Sequence, residues 1–285
     1  MSWTVDKVKE RLNCLNNTRY FYSKTSDSPL KQYYSFLPIL KEAAVLIPIY
    51  CHNDQLEVLL TIRSKNVRTY SGQVAFPGGI REESDENPIE TALRESEEEI
   101  GLKKNFVKVI GCLNPVVSRT KVLIFPIVGF IENFPDFRIK LNSDEADYHF
   151  SLPLERFLKS DNHLTFPCEA APNVVICVHN FRDKLSVNNV LGQLVEKNVE
   201  TFGLTAALCI FCSMIIHRRF VQFDIVDDEE QENFLRFKKD QIDRGGDGEF
   251  TIIDDKIWSK LYDRYFNGYL EKMKTMTNLE SSSNL

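Results

Sequence analysis

The stretch that decides the fold is residues 78–102, GGIREESDENPIETALRESEEEIGL. Its second half predicts one helix, because Asn87 is a favoured N-cap residue and Pro88 suits the first helical position. Gly101 can end that helix in the left-handed conformation. An apolar stripe along one side of the helix is expected to face a core, and it consists of Ile89, Leu93 and Ile100.

A separate face of the same helix collects acidic side chains. At about 100° of turn per residue, Glu99 lies about 40° from Glu95 and Glu98 about 60° from it on the other side. Like charges on one helix face repel each other, so three together favour a bound hard cation over a merely solvated acidic surface, which is the alternative. We predict Glu95, Glu98 and Glu99 as ligands of Mg²⁺ or Mn²⁺.

Upstream of the helix, residues of a second kind suit a phosphate-bearing ligand. Gly78 and Gly79 form a sharp turn after Pro77, and glycines let the backbone approach a metal or phosphate closely. Arg63 and Arg68 supply guanidinium forks that match phosphate oxygens. Their alternative role is to balance the net charge of −6. We predict these four residues as substrate-binding.

The segment as a whole resembles the Nudix box. Residues 94–102, RESEEEIGL, follow its second half, with Ser96 where an apolar residue is usual. In the first half, six rather than five residues separate Gly79 from Glu86, so that either Asp85 or Glu86 can fill the acidic position. The resemblance implies an α/β fold, with a mixed β-sheet sandwiched between helices in an α/β/α arrangement.

Residues 59–79, LLTIRSKNVRTYSGQVAFPGG, resemble the signature of the coenzyme A diphosphatase subfamily. That resemblance implies metal-dependent hydrolysis of the diphosphate bond of coenzyme A and its derivatives to 3′,5′-ADP and (acyl-)4′-phosphopantetheine. Relatives often carry an acidic residue in the loop that contains Glu145. The expected catalytic residues are therefore Glu98, Glu99 and Glu145.

Two alternative functions stay open on the sequence. The first is a Nudix hydrolase of another nucleoside diphosphate, such as ADP-ribose, NADH or a capped RNA end. The second is a catalytically silent Nudix-like binding module. An isoelectric point near 5.5 disfavours a nucleic-acid partner, for which a basic patch is expected.

Composition indicates a protein with a large apolar core and reduced cysteines. Hydrophobic residues make up 43% of the chain, and its seven cysteines are scattered and odd in number. Cys209 and Cys212 lie in an apolar run and are predicted to be core residues. The run from Leu204 to Ile216 is too short for a membrane span and is predicted to be a core helix within residues 201–216.

The last residues, Ser283-Asn284-Leu285, resemble the peroxisomal address Ser-Lys-Leu. We therefore expect a peroxisomal protein that binds an import receptor through this tripeptide, with the cytoplasm as the alternative location. No secretory signal precedes the amphipathic segment near Met1. The oligomeric state stays open.

Three regions follow from the pattern of elements. We predict an N-terminal helical arm over residues 1–38, a Nudix hydrolase domain over 39–218, and a C-terminal helical extension with a flexible tail over 219–285. Within the domain, strands are expected at 43–51, 56–63, 107–113, 122–131 and 174–181. Pro126 in the fourth of these implies an edge strand or a bulge.

Overall fold

A computed structural model of the chain describes residues 3–12 and 41–223, apart from 114, 119, 121, 133, 135–137 and 172–173. Most of the predicted N-terminal arm, nearly all of the predicted C-terminal extension and the tripeptide Ser283-Asn284-Leu285 lie outside the described residues. The three-region division therefore stays a prediction.

The described residues form three α-helices and eleven β-strands. The helices are α1 (Val5–Leu12), α2 (Pro88–Ile100) and α3 (Gly203–His217). The strands are β1 (Lys41–His52), β2 (Gln55–Arg63), β3 (Val74–Ala75), β4 (Gly78–Ile80), β5 (Val107–Cys112), β6 (Val116–Val117), β7 (Val122–Ile131), β8 (Ala146–Pro153), β9 (His163–Ala171), β10 (Val174–Asn189) and β11 (Leu194–Phe202). Short 3₁₀ turns cover Lys104–Phe106 and Leu154–Leu158.

One mixed sheet organises the molecule, in the order β11-β10-β8-β2-β1-β7-β5. β1 and β7 run parallel, and the other paired strands run antiparallel. Helix α2 packs on one face of the sheet, which we call the active-site face, while α1 and α3 pack on the other. The predicted mixed sheet between helices is confirmed.

Each face of the sheet has its own apolar core. On the active-site face, Leu46 and Leu59 pack with Leu93 and Ile100 of α2. On the opposite face, α3 is buried along most of its length, and Cys209 and Cys212 are fully buried within it. The predictions of core cysteines and of a long buried helix are therefore confirmed. Within the described residues, none of the helices has the length and apolarity needed to cross a membrane.

Pro126 occupies an interior strand, since β7 lies between β1 and β5. The edge-strand alternative is thus wrong. β5 pairs with β7 as far as Ile127, and β6 begins its pairing at Ile124, so that Pro126 lies where the antiparallel ladder is interrupted. The Pro126 carbonyl accepts a hydrogen bond from Leu113 N–H at 2.9 Å. Proline has no N–H to donate, and at this interruption of the ladder no strand partner requires one.

The sequence patterns predicted only part of the sheet beyond residue 162. The expected strand 174–181 is the first half of β10, which continues to Asn189. It pairs with β9 along its first half and with β11 along its second. β9 and β11 are polar on many positions, so they gave no period-two apolar signal. The hairpin of β10 and β11 joins the sheet through β8.

Candidate active site

Gly78 and Gly79, predicted to form a sharp turn, are instead the first two residues of strand β4, which lies directly against the central strand of the sheet. β4 pairs with β1, with Gly78 opposite Val45 and Gly79 opposite Ala44. A Cβ atom on Gly78 would lie 2.4 Å from the carbonyl oxygen of Ala44, which is closer than side-chain atoms can approach. Glycine is therefore required at position 78 because a side chain there would clash with β1.

Helix α2 begins and ends where its sequence predicts. The Asn87 side chain accepts hydrogen bonds from the N–H groups of Ile89 and Glu90, at 2.9 and 3.2 Å. Gly101 adopts φ 71° and donates to the Glu97 carbonyl at 3.0 Å. Both ends of the helix are thus closed by local contacts, which hold its acidic side chains in a defined position beside β4.

Arg94 is the centre of an ion-pair cluster at the start of the acidic face. Its Nε and Nη2 donate to the two carboxylate oxygens of Asp85, each at 3.0 Å, and Nη2 also reaches the Ile80 carbonyl at 3.2 Å. The Asp85 side chain is buried, and hydrogen bonding from Arg94 lowers the pKa of Asp85 to about 2. Asp85 therefore fills the acidic position that the sequence left open, while Glu86 is exposed.

The same guanidinium contacts two of the predicted metal ligands. Arg94 Nη1 lies 3.0 Å from Glu95 Oε1 and 3.1 Å from Glu98 Oε2. The side chain of Glu98 is 56% exposed, whereas burial raises the pKa of Glu95. A Cβ atom on Gly79 would lie 2.4 Å from Glu95 Oε1. The absence of a side chain at Gly79 therefore leaves room for the Glu95 carboxylate.

Glu99 is the buried carboxylate of the group, with a side chain only 5% exposed. Burial, together with the charges of Glu95 and Glu145, raises its pKa to about 8, although Arg63 and a hydrogen bond from Gly78 N–H act in the opposite direction. Arg63 Nη1 lies 3.8 Å from Glu99 Oε1. Helix α2 and the arginine-bearing stretch 59–79 therefore come into contact at Glu99.

Glu145 reaches the site through a loop tied to both α2 and β2. Asn142 N–H donates to the Glu99 carbonyl at 2.8 Å, and Glu145 N–H donates to the Asn142 carbonyl at 3.0 Å. Ser64 N–H in turn donates to the Glu145 carbonyl at 2.8 Å. The first and the last of these bonds join residues 43 and 81 positions apart in sequence and bring them to one end of the sheet.

The structure brings most of the predicted site residues together, namely Arg63, Gly78, Gly79, Glu95, Glu99 and Glu145. Glu98 lies beside them but turns outward with Arg94. Arg68 is exposed in the loop between β2 and β3. Across the part of the chain that is described, the acidic, histidine and cysteine side chains nowhere converge in threes as a group that could hold a metal ion.

The chemistry of the donors nevertheless fits a hard divalent cation. Burial raises the pKa of Glu95 and of Glu99, and the nearby charge of Glu145 adds to the rise in both. A cation among them would relieve that repulsion, and carboxylate oxygens are the ligands that Mg²⁺ prefers. A small rotation of exposed Glu98 away from Arg94 would add a further oxygen. The metal assignment of these residues remains a prediction.

Sequence reasoning missed one contributor to the site, the pair of Glu42 and Arg81. The Glu42 carboxylate accepts a hydrogen bond from Arg81 Nη1 at 2.6 Å. Arg81 also donates to the carbonyls of Asp85 and Glu86, which anchors the loop before α2. The pair carries no local motif, because Glu42 and Arg81 are 39 positions apart in sequence.

The profile of the Nudix domain family matches residues 40–161 of this chain. Those residues run from β1 through the 3₁₀ turn after β8, and they include α2 and all the predicted site residues. Residues 40–161 of this chain are thus similar to the Nudix domain family, and the strands from β9 onward lie outside the matched region.

Curated relatives share this region. The chain is 34% identical over 180 residues to Nudix hydrolase 15, mitochondrial, of Arabidopsis thaliana, covering 63% of this chain and 60% of that protein. It is 44% identical over 118 residues to the Nudix hydrolase NudL of Escherichia coli K12, covering 41% and 60%. Nudix hydrolase 22, chloroplastic, of Arabidopsis thaliana is 32% identical over 200 residues, covering 70% and 61%. The chain thus spans about three fifths of the length of these relatives.

Proposed function

We infer that this Nudix domain is a metal-dependent pyrophosphohydrolase whose substrate is coenzyme A or a derivative of it. Hydrolysis would break the diphosphate bond and release 3′,5′-ADP and (acyl-)4′-phosphopantetheine. The similarity to Nudix hydrolases supports the reaction class. The coenzyme A specificity is supported by the arginine-bearing stretch at 59–79.

The observation that supports the proposal most directly is the position of Arg63. Its Nη1 lies 3.8 Å from the buried Glu99 carboxylate. Its Nε is buried, and among the described residues it has no hydrogen-bond partner. A buried donor without a partner costs free energy, about 1–3 kcal/mol for a typical group. A phosphate oxygen of a bound substrate would satisfy this Nε, and the charge of the guanidinium would strengthen that hydrogen bond.

The metal would be held by Glu95, Glu98 and Glu99. A divalent cation at this place supplies Lewis-acid polarisation of the phosphate oxygens. Gly78 and Gly79 let the diphosphate approach the backbone, since neither carries a side chain between β4 and the acidic face of α2. Arg94 orients Glu95 through the 3.0 Å contact between Arg94 Nη1 and Glu95 Oε1. Asp85 holds the guanidinium in place through its contact with Arg94 Nη2.

The attacking water needs a proton acceptor within reach of the diphosphate. Among the catalytic candidates, Glu98 and Glu99 belong to the proposed metal-binding group. Glu145 lies on the loop that is hydrogen-bonded to Glu99 and Ser64, and we assign it the proton of the attacking water. The oxygen of that water bonds to phosphorus, the bridging P–O bond breaks, and the two phosphomonoesters leave.

A substrate panel tests the proposal directly. Purified full-length chain is offered coenzyme A, an acyl-coenzyme A, ADP-ribose, NADH and capped RNA, each with Mg²⁺ or Mn²⁺, and the products are identified by mass spectrometry. The expected result is 3′,5′-ADP from coenzyme A with a kcat/KM at least tenfold above that for ADP-ribose and NADH. A preference for one of the other substrates would assign the domain to that nucleoside diphosphate instead.

Arg68 provides a sharper test of the coenzyme A assignment. Its exposed guanidinium, on the loop that follows Arg63, is suited to the 3′-phosphate. R68A should raise KM about tenfold for coenzyme A and leave KM for 3′-dephospho-coenzyme A unchanged. R182A is the matched control, because Arg182 is an exposed arginine of the β9–β11 region whose Nε lies 3.4 Å from Glu200. Equal losses with both substrates would remove Arg68 from phosphate recognition.

A catalytically silent binding module is the second candidate. Its supporting observation is that the acidic side chains already form ion pairs within the chain. Glu99 pairs with Arg63, and both Glu95 and Glu98 pair with Arg94. Calorimetric binding of coenzyme A without any turnover in either metal would favour this candidate over the hydrolase.

A further inference from the structure

An exposed tyrosine lies on the loop that joins β2 to β3 and carries Arg68. This residue, Tyr70, is 49% exposed. Gln73 N–H donates to the Tyr70 carbonyl at 3.2 Å, and Arg63 N–H donates to the Gln73 carbonyl at 2.9 Å. Gly72 N–H donates to the Arg63 carbonyl at 3.1 Å. These backbone hydrogen bonds connect Tyr70, through Gln73, to the arginine whose side-chain Nε has no hydrogen-bond partner among the described residues.

The backbone of Tyr70 is held in a conformation that large side chains rarely adopt. Its φ is 58°, in the left-handed region. Among the described residues with side chains, the others with a positive φ are Asn53, Asp54, Asn162 and Arg218. Asparagine and aspartate tolerate this region, and Arg218 caps the C-terminus of α3. Strained backbone of this kind clusters at ligand-binding sites, where surrounding contacts maintain it, so Tyr70 is a candidate ligand contact.

The Tyr70 side chain is also available to a ligand. Within the described part of the chain, its ring packs against no other aromatic ring and no cation, and its hydroxyl group forms no hydrogen bond. An aromatic ring that presents its π face to solvent can stack on a nucleobase, and such stacking accepts any base because every base has a π face.

The chemistry of the proposed substrate favours adenine as that base. In coenzyme A the adenine, the 3′-phosphate and the 5′-diphosphate all extend from one ribose. Arg63 is assigned to the diphosphate and Arg68 to the 3′-phosphate, so the ribose of a bound substrate lies beside the loop that carries both arginines. Tyr70 follows Arg68 by two positions, and their Cα atoms are therefore at most about 7 Å apart.

We propose that the Tyr70 ring stacks on the adenine of the substrate. This inference rests on the function proposed above and deepens it by assigning recognition of the nucleotide half to a named ring. Stacking supplies affinity for the adenine, while Arg68 supplies the preference for a 3′-phosphate. Because adenine does not change during hydrolysis, the contact stabilises the bound substrate and the transition state equally. Loss of the ring should therefore raise KM and leave kcat unchanged.

Calorimetric binding of 3′,5′-ADP, 5′-AMP and 4′-phosphopantetheine, each with Mg²⁺, tests the contact without turnover. Y70L removes the π face and keeps an apolar side chain, whereas Y70F keeps the ring. Kd for 3′,5′-ADP and for 5′-AMP should rise at least about fivefold in Y70L and stay at the wild-type value in Y70F. Kd for 4′-phosphopantetheine, which has no base, should stay unchanged in both variants.

F166L is the matched control, because Phe166 is an aromatic residue of β9 that is 39% exposed and lies outside residues 40–161. It should bind 3′,5′-ADP as the wild type does, and equal weakening in F166L and Y70L would overturn the proposal. Y70N tests a purely structural role, since asparagine tolerates the left-handed backbone. Its Tm should match or exceed that of the wild type. A fall in Tm of more than about 4 °C would make the ring a structural element and overturn the proposal.

Steady-state kinetics with coenzyme A provide a second readout. KM should rise at least about fivefold in Y70L with kcat unchanged, and Y70F should keep the wild-type KM. A fall in kcat at constant KM would place Tyr70 in the reaction step rather than in adenine binding and overturn the proposal.

Product binding and hydrolysis together separate this inference from the proposed function. Hydrolysis of coenzyme A with equal 3′,5′-ADP affinity in the wild type and Y70L would overturn the stacking contact and leave the proposed function standing. Weaker 3′,5′-ADP binding in Y70L, without hydrolysis of coenzyme A by the wild type, would support the contact and overturn the hydrolase. Absence of both 3′,5′-ADP binding and hydrolysis would overturn both.

Discussion

Arg94 and Asp85 form a two-bond ion pair at the start of helix α2, with Nε to Oδ1 and Nη2 to Oδ2 each at 3.0 Å. The pair fixes the guanidinium whose remaining Nη1 contacts Glu95 and Glu98. The position of the acidic face thus depends on a residue three positions before the helix begins. Asp85 is accordingly a positioning residue of the site.

Replacing Asp85 with asparagine should destabilise the protein. D85N keeps the shape of the side chain but leaves the Arg94 charge without its buried partner, at a cost of about 2 kcal/mol. Chemical denaturation monitored by fluorescence measures the loss. E86Q is the control, because Glu86 is exposed and should change the free energy of unfolding by no more than about 0.5 kcal/mol. The reverse ranking would assign the acidic position to Glu86.

Acidification should destabilise the fold through His149. Burial lowers the pKa of His149 to about 4, from 6.5. Because the unfolded chain binds the proton more tightly, the unfolded state gains from protonation as the pH falls below 6.5, and the loss is complete near pH 4. The expected contribution is on the order of 2 kcal/mol after allowance for partial exposure.

The measurement is the free energy of unfolding at intervals between pH 7 and pH 4. H149Q should reduce its slope against pH over that range. H52Q removes an exposed histidine at the end of β1 and should retain the wild-type slope. An unchanged slope in H149Q would show that other groups carry the acid sensitivity.

Substituting Glu99 with glutamine should abolish turnover without unfolding the chain. Glutamine fills the same volume beside Arg63 and Gly78 but removes an anionic oxygen donor, and we expect kcat to fall at least about hundredfold. E97Q is the matched control, since Glu97 is exposed elsewhere on the same helix and should keep wild-type kcat. A near-normal rate in E99Q would contradict its catalytic and metal-binding assignment.

Metal binding can be followed without activity. Mg²⁺ or Mn²⁺ should raise Tm of the wild type after treatment with a chelator, because a ligand that binds only the folded state stabilises it by about 2.7 kcal/mol at 100 times Kd. E99Q should lose most of that increase and E97Q should keep it. A Tm increase of equal size in both variants would place the ion elsewhere.

Adding a methyl group to Gly79 should disturb Glu95. A Cβ atom there would lie 2.4 Å from Glu95 Oε1, so the carboxylate has to move away from the turn. G79A should lower kcat about tenfold or more, while stability changes by less than about 1 kcal/mol because a side chain can rotate. G111A is the control, since a Cβ atom on Gly111 meets its nearest neighbour, Leu12, at 3.4 Å, an ordinary contact. Wild-type activity in G79A would show that the turn tolerates a side chain.

The parts of the fold predicted best are those with strong local signals. Helix α2 begins at Pro88 and ends at Ile100, as its N-cap Asn87 and its terminal glycine indicate. The apolar runs of β1, β2, β5 and β7 were predicted to within a few residues at each end. β9 and β11 were missed, because their stability comes from pairing with β10 rather than from an apolar period of their own.

Within the candidate site, the sequence could place Glu95, Glu98 and Glu99 near one another, because about 100° of turn per residue sets their spacing on one helix. It could not say which of them is buried. Burial of Glu99 and exposure of Glu98 depend on how α2 packs over β1 and β4.

The sequence by itself therefore determined helix α2, its caps and the identity of the acidic and basic groups, because each of these depends on residues a few positions apart. Only the tertiary structure decided that Asp85 rather than Glu86 holds Arg94 and that Arg63 meets Glu99. It also brought Glu145 to the same end of the sheet as Glu99. Those relationships depend on strand order and register, which join residues too far apart in sequence for any local pattern to specify.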